Sequence, residues 1–328
     1  MTALGGSGGR ASLTNLAWTG MAVAIGFAGI VVAATAFRWE PSLVGGDAWN
    51  YLAAGERLNA GHLLYALGPG DRSVPLAPPY WSVPLLAPPP IAVLWRAIAL
   101  AGEASMTLWG IAVFLVTAGT AGWLAWRSSP IGRLALALVA MPLALAALSG
   151  NAAALVVPLL AAAWTCRSRP WIAGTCIAIA CVVKLTPALL ILWLIGSRRW
   201  TTLAAALAAT ALLVAISVVG AGLPSWSQWA TSVPASSPSP LAVATLINAP
   251  TWLVAVGFAV ATLVISVAFG ERVGFVMAVV AAALATPAFY FQAMALLAAA
   301  VATLKPPGSG ADNPAERSPD RLIPQGIC

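Results

Sequence analysis

The chain has 328 residues, 61% of them hydrophobic and 8% charged, with a mean hydropathy of +0.92 and a net charge of +7. Soluble domains carry roughly a quarter charged residues, so a water-compatible surface is excluded and lipid must be the solvent. The apolar runs are continuous rather than alternating, which excludes a β-barrel and leaves an all-α polytopic membrane protein.

The positive charge falls in small Arg clusters between apolar runs, the pattern that encodes orientation rather than nucleic-acid binding. Cys166, Cys176, Cys181 and Cys328 have neither disulfide nor metal-ligand spacing. A single His, His62, rules out a multi-histidine metal site. No Gly-rich nucleotide-phosphate loop is present, which argues against direct use of a nucleotide sugar or ATP.

Residues 1–15 are Gly/Ser-rich and read as disordered. Leu16 to Phe37 is long enough for a first crossing, and too long for a signal-peptide core. Residues 38–82 form a first outer loop, within which Asp47 to Ala60 reads as a helix of about four turns at the interface. On that helix Asp47 and Tyr51 share a face at i, i+4, with Glu56 nearly opposite. The prolines from Pro75 to Pro90 exclude a plain long helix, Trp81 and Trp95 suit headgroup level, and 83–100 reads as a broken or re-entrant segment before a crossing at 106–126.

Arg127/Arg133, Arg167/Arg169, Arg198/Arg199, Arg272 and Lys305 then punctuate the apolar runs. If all are cytoplasmic, each interval crosses the membrane an even number of times. The turns fall at Ser149-Gly150-Asn151, at Lys184-Leu185-Thr186-Pro187, in a second outer loop 220–250, and near Thr286-Pro287. All of these, with the first loop, face outward. The total is about ten membrane segments. Several half-segments are short, and broken helices at membrane depth are tolerated where they line a protein cavity, so an outward-facing cleft is expected. Residues 305–328 read as a disordered cytoplasmic tail.

Taken together, Asp47-x-x-x-Tyr51, Ala54-Gly55, Gly61 and Leu64-Tyr65, the Pro78-Pro79-Tyr80 and Pro88–Pro90 prolines, Gly150-Asn151 and Lys184-x-x-Pro187 followed by Arg198-Arg199-Trp200 resemble glycosyltransferase family 87. This is a GT-C family that includes bacterial polyprenyl-phosphate-mannose-dependent α-mannosyltransferases. The resemblance extends over residues 16–304 and implies a GT-C-like bundle. It further implies a polyprenyl-phosphate sugar donor, mannose first, and a glycolipid or lipid-linked glycan acceptor on the outer face of the cell membrane, with no essential cofactor or divalent metal. One departure stands out. The family's late Ser-Pro segment carries Trp and His, whereas this chain has Thr286-Pro287-Ala288-Phe289-Tyr290-Phe291-Gln292, with Tyr290 or Gln292 as polar substitutes.

Such a transfer needs a carboxylate to accept the proton of the attacking hydroxyl. Glu40, Asp47, Glu56, Asp71 and Glu103 are the outer candidates, and the family match with the Gly45-Gly46 turn selects Asp47, which could equally cap its helix. The departing phosphate needs positive charge. Lys184, the one Lys before the tail, lies inside an apolar run where a charge is costly without a cavity and partner; snorkelling to the interface is its other use.

Asn151 either binds a sugar hydroxyl or satisfies broken helix ends. Tyr51, Arg57, Tyr290 and Gln292 complete the expected substrate-binding set, with Arg38, Arg72 and Arg96 as secondary cations better read as headgroup contacts. Trp226 and Trp229 could stack on a sugar or prenyl chain or anchor the interface. The rival readings are a transporter or flippase, which would show paired repeats, and a non-catalytic envelope scaffold of the same fold.

Overall fold

A computed structural model describes residues 7–39, 45–65, 87–235, 239–287 and 291–304, with the side chains of 7–14, 36–39 and 232–235 left aside. Every element among them is helical. The chain begins with α1 (Ser7–Trp39), α2 (Gly46–Asn59), α3 (Pro89–Ala99), α4 (Ala104–Arg127), α5 (Pro130–Leu138) and α6 (Ala140–Leu148). It continues with α7 (Ala153–Thr165), α8 (Pro170–Val183), a 3₁₀ turn (Thr186–Ala188), α9 (Leu189–Gly196) and α10 (Trp200–Ala221). It closes with α11 (Leu223–Ala235), α12 (Val243–Leu246), α13 (Thr251–Leu284) and a final 3₁₀ helix (Phe291–Thr303).

Four of these helices are long and apolar enough to cross a membrane, or five if the pair α5 and α6, bent by 49°, is one span. The longest, α13, is not straight. Gly270 has φ 81° and ψ −178°, and a Cβ placed on Gly274 would lie 2.7 Å from the Cα of Ser266. Eight residues along a straight helix span about 12 Å, so α13 folds back on itself at Gly270, where glycine alone adopts the backbone without strain.

The bundle has two chemically distinct ends. At one, Arg199 makes a two-pronged contact with Glu271, Nε to Oε1 at 2.7 Å and Nη2 to Oε2 at 2.8 Å. Arg167 Nε approaches the same carboxylate at 3.6 Å, and Trp193 Nε1 donates to the Glu271 carbonyl at 2.9 Å. Exposed Trp126, Trp171 and Trp200 stand at this Arg end, as headgroup-level tryptophans do. The other end carries the turns Ser149–Asn151 and Lys184–Pro187 and the start of the final 3₁₀ helix. α7 joins the two, its 13 residues making about 20 Å.

The core is α7, the final 3₁₀ helix and the returning half of α13, packed through Ala, Val and Leu with Trp164, Trp193 and Phe275. The long helices surround it and turn Leu16, Phe27, Phe114, Leu212, Val219 and Phe269 outward. Apolar side chains exposed on that scale suit lipid, not water.

Several expectations change. The first helix starts at Ser7, inside the stretch read as disordered through residue 15. The second outer loop is not plain loop, because α11 and α12 fill much of it. Trp95 is fully buried instead of lying at headgroup level, since it packs with Tyr51 and Trp109. Trp81, the Pro75–Tyr80 prolines and the tail 305–328 fall outside the described residues.

Candidate active site

The site is made where α2 meets the turn between α6 and α7. Gly45 (φ 69°) and Gly150 (φ 68°) are both left-handed, which only glycine adopts freely. The Gly150 turn turns the carbonyls of Leu148 and Ser149 toward α2, where they accept from the amides of Gly45 at 2.9 Å, Asp47 at 3.1 Å and Ala48 at 3.4 Å. These carbonyls satisfy the donors that a helix start leaves open. Asp47 therefore does not cap its own helix: no side chain caps α2.

Freed from capping, the Asp47 carboxylate accepts from Asn151 Nδ2 at 2.9 Å. Asn151 Oδ1 in turn accepts from the Ala153 amide at 2.7 Å, which fixes which way the side-chain amide faces. One turn further along α2, the Tyr51 hydroxyl accepts from the Ala152 amide at 3.4 Å. The i, i+4 face read from the sequence is thus the face that grips the α6–α7 turn. Below it, Tyr51, Trp95 and Trp109 stack on one another, and Trp109 Nε1 donates to the Gly150 carbonyl at 3.0 Å.

α3 packs along the same face of α2, one turn beyond Tyr51. Gly55 lies so close that a Cβ there would stand 2.5 Å from the Trp95 carbonyl oxygen. Small residues allow helices this approach. At the far end of α2, Arg57 Nε donates to the Leu63 carbonyl at 3.1 Å, and Arg96 bridges Asn59 Oδ1 at 3.1 Å and the Gly220 carbonyl at 2.7 Å. Both arginines serve the scaffold, and Arg57 sits about 15 Å along the helix from Asp47.

α2 lies outside the spanning segments. Burial pushes the Asp47 carboxyl above the ordinary carboxylate range. The Asn151 amide, the Ser149 hydroxyl, the Lys184 charge and the Gln292 amide oppose this, in decreasing order, without reversing it; of these, Asn151 is the one in hydrogen-bond contact with the carboxylate. Protein atoms crowd Asp47, yet it keeps part of its surface open. The Tyr51 hydroxyl is pushed up too, by burial first and then by the Asp47 charge, so it stays neutral.

Of the expected residues, Asp47, Tyr51, Asn151, Lys184 and Gln292 converge here; Arg57 does not, and Tyr290 lies outside the described residues. Ser149, Trp109 and Trp95 belong to the site and were not anticipated. Ser149 was visible only as part of a turn, Trp95 was read at headgroup level, and Trp109 lies in an apolar run with nothing local to mark it. Trp226 donates to Ser217 Oγ at 3.1 Å and meets Trp229 edge-on. The other described carboxylates are placed differently: Glu56 is half-buried nearly opposite Asp47 on α2, Glu103 is exposed, and Glu271 is paired with arginines. No three His, Cys, Asp or Glu side chains cluster as metal ligands among the described residues.

A helical membrane protein whose enclosed carboxylate is backed by an amide, a hydroxyl and an ammonium has the parts of a group-transfer enzyme working at the membrane. The family model for glycosyltransferase family 87 matches residues 82–307, and the chain belongs to that GT-C-type family of membrane glycosyltransferases. The match takes in Asn151, Lys184 and Gln292 but begins after Asp47 and Tyr51, which enter the site through their contacts. No curated protein and no solved structure matches the chain.

Proposed function

We propose that the chain moves a sugar, mannose first among the candidates, from a polyprenyl-phosphate donor to a glycolipid or lipid-linked glycan at the outer face of the cell membrane, with Asp47 as general base. The observation that carries the reading is the grip of Asn151 on Asp47 at 2.9 Å within reach of the Lys184 charge. In the transfer, an acceptor oxygen attacks the anomeric carbon and its proton passes to Asp47. The bond from that carbon to the phosphate oxygen breaks, and the phosphate leaves with the electron pair beside Lys184. A base works best with its pKa near the working pH, and burial moves Asp47 in that direction.

The path of the chain supports the ten-segment reading. Counting α5–α6 as one span, the 3₁₀ turn with α9 as one and α13 as two gives ten apolar segments running between the two ends. The short ones cover about two thirds of a ~30 Å hydrocarbon layer, which would recess their site ends in a cleft. Under the positive-inside rule the Arg end is cytoplasmic and the site faces out.

The test uses protein in lipid nanodiscs, as wild type and Asp47→Asn, given radiolabelled polyprenyl-phosphate mannose and an envelope glycolipid extract. Label transfer by wild type alone supports the reading. Equal transfer by both removes Asp47 as the base. Transfer by neither, with other donor sugars also failing, leaves the scaffold or transporter reading.

A further inference from the structure

Thr186 offers a group that the mechanism has not used. Buried serine and threonine hydroxyls in this protein habitually donate to a carbonyl one turn back: Thr262 to Phe258, Ser266 to Thr262, Ser217 to Val214, Thr303 to Ala300. Two threonine hydroxyls depart from this among the described residues: Thr117 Oγ1 inside α4 and Thr186 Oγ1 at the start of the 3₁₀ turn are buried and make no hydrogen bond, and Thr186 is the one beside Lys184. The cause is local. Lys184 is extended (φ −146°, ψ 128°), which ends α8 and carries the carbonyls one turn back out of line.

A buried hydroxyl without a partner costs free energy comparable to a lost hydrogen bond, so a partner that arrives with the substrate is the economical explanation. The neighbouring groups indicate its charge. The amides of Leu185 and Thr186 donate to no backbone carbonyl among the described residues, and they open the 3₁₀ turn and α9, whose start carries positive partial charge. Lys184 in the same turn has no carboxylate within 4.0 Å among the described residues. Donors and positive charge gather on one turn, and no anion is in contact with them; Asp47 acts on Lys184 from farther off.

We infer that Thr186 Oγ1, the Leu185 and Thr186 amides and the Lys184 ammonium form a cradle for a lipid-borne phosphate, the phosphate of the donor and then of the released carrier, with Thr186 as a direct ligand. This rests on the reading of the chain as a lipid-phosphate-dependent transferase. The cradle keeps its hold on the phosphate while the sugar–oxygen bond breaks, so Thr186 bears on donor affinity and on release of the carrier.

The test compares wild type, Thr186→Val (isosteric, without the hydroxyl) and Thr186→Ser in phosphatidylcholine nanodiscs. Binding of undecaprenyl phosphate is measured directly, and transfer kinetics are measured with donor and acceptor varied in turn. The expected result is carrier binding about tenfold weaker in Thr186→Val, KM for the donor raised with KM for the acceptor unchanged, and recovery in Thr186→Ser. Unchanged carrier binding in a folded Thr186→Val overturns the cradle while leaving Asp47 chemistry intact. Equal displacement of the carrier by phosphatidylglycerol or inorganic phosphate makes this a general anion or headgroup site and also overturns it. Thr186-dependent carrier binding without transfer to any acceptor keeps the cradle and removes the transferase reading.

Discussion

At the scale of single residues, the site stores a cost. Asp47 is held above the ordinary carboxylate range by burial, so the folded protein favours its neutral form over the charged one. Its contribution to stability is therefore present at low pH and lost as pH rises above the ordinary carboxylate value and through the raised one. Asp47→Asn should abolish transfer and raise the melting temperature by a few degrees at neutral pH, read by thermal unfolding in detergent or nanodiscs.

Asn151 works the other way, because its N–H favours the carboxylate. Asn151→Ala should move the acid limb of kcat/KM to higher pH, away from the wild-type position, with transfer reduced but not lost. A limb that stays where it is would separate Asn151 from Asp47. The Asp47–Tyr51 face was legible because helix periodicity is local. Asn151 and Lys184 were legible as polar breaks in apolar runs and through the family resemblance, and Gln292 as a polar substitute in the late segment; nothing local says that the three meet. Arg57 and Arg96 misled for a related reason. A charge in an apolar chain draws attention, but these two are consumed by backbone carbonyls at Leu63 and Gly220.

At the scale of elements, α2 is the part to perturb. Its place depends on Gly55 meeting the Trp95 backbone, and backbone cannot step aside as a side chain can. Gly55→Ala should destabilise by about 1–3 kcal/mol and lower activity by displacing Asp47, whereas alanine at Gly61, which lies in open space with φ 76°, should cost only its backbone strain. Thermal unfolding with a transfer assay distinguishes the two. Across the bundle, Glu271→Ala removes the shared partner of Arg199 and Arg167. The pair is part-exposed, so the loss should be about 1–2 kcal/mol, seen as a lower melting temperature with KM unchanged. Sequence periodicity gave the apolar segments and their turns well. It missed α11 because prolines and serines resemble loop, and it set Trp95 at the interface because a tryptophan near prolines suits both settings until its packing partners are known.

At the scale of the whole molecule, charge and chemistry sit at opposite ends, and α7 spans the distance between them. Single-cysteine variants test the orientation in a chain otherwise freed of cysteine. His62→Cys should react with a membrane-impermeant thiol reagent in intact cells, and Ser168→Cys only after permeabilisation. The reverse pattern would turn the site to the cytoplasm. This reading was accessible from the arginine clusters alone, since orientation follows loop charge rather than fold.

The bond between Asp47 and Asn151 joins residues 104 positions apart. At a synthesis rate of about 5–20 residues per second, the amide emerges roughly 5–20 s after the carboxylate, and Gln292 later still. During that interval Asp47 waits at the membrane surface without the partners that later enclose it. The pocket is therefore closed in stages: a chain stalled or cut before the final 3₁₀ helix already holds the residues of the Asn151–Asp47 contact but lacks Gln292 and the helix that packs against α7.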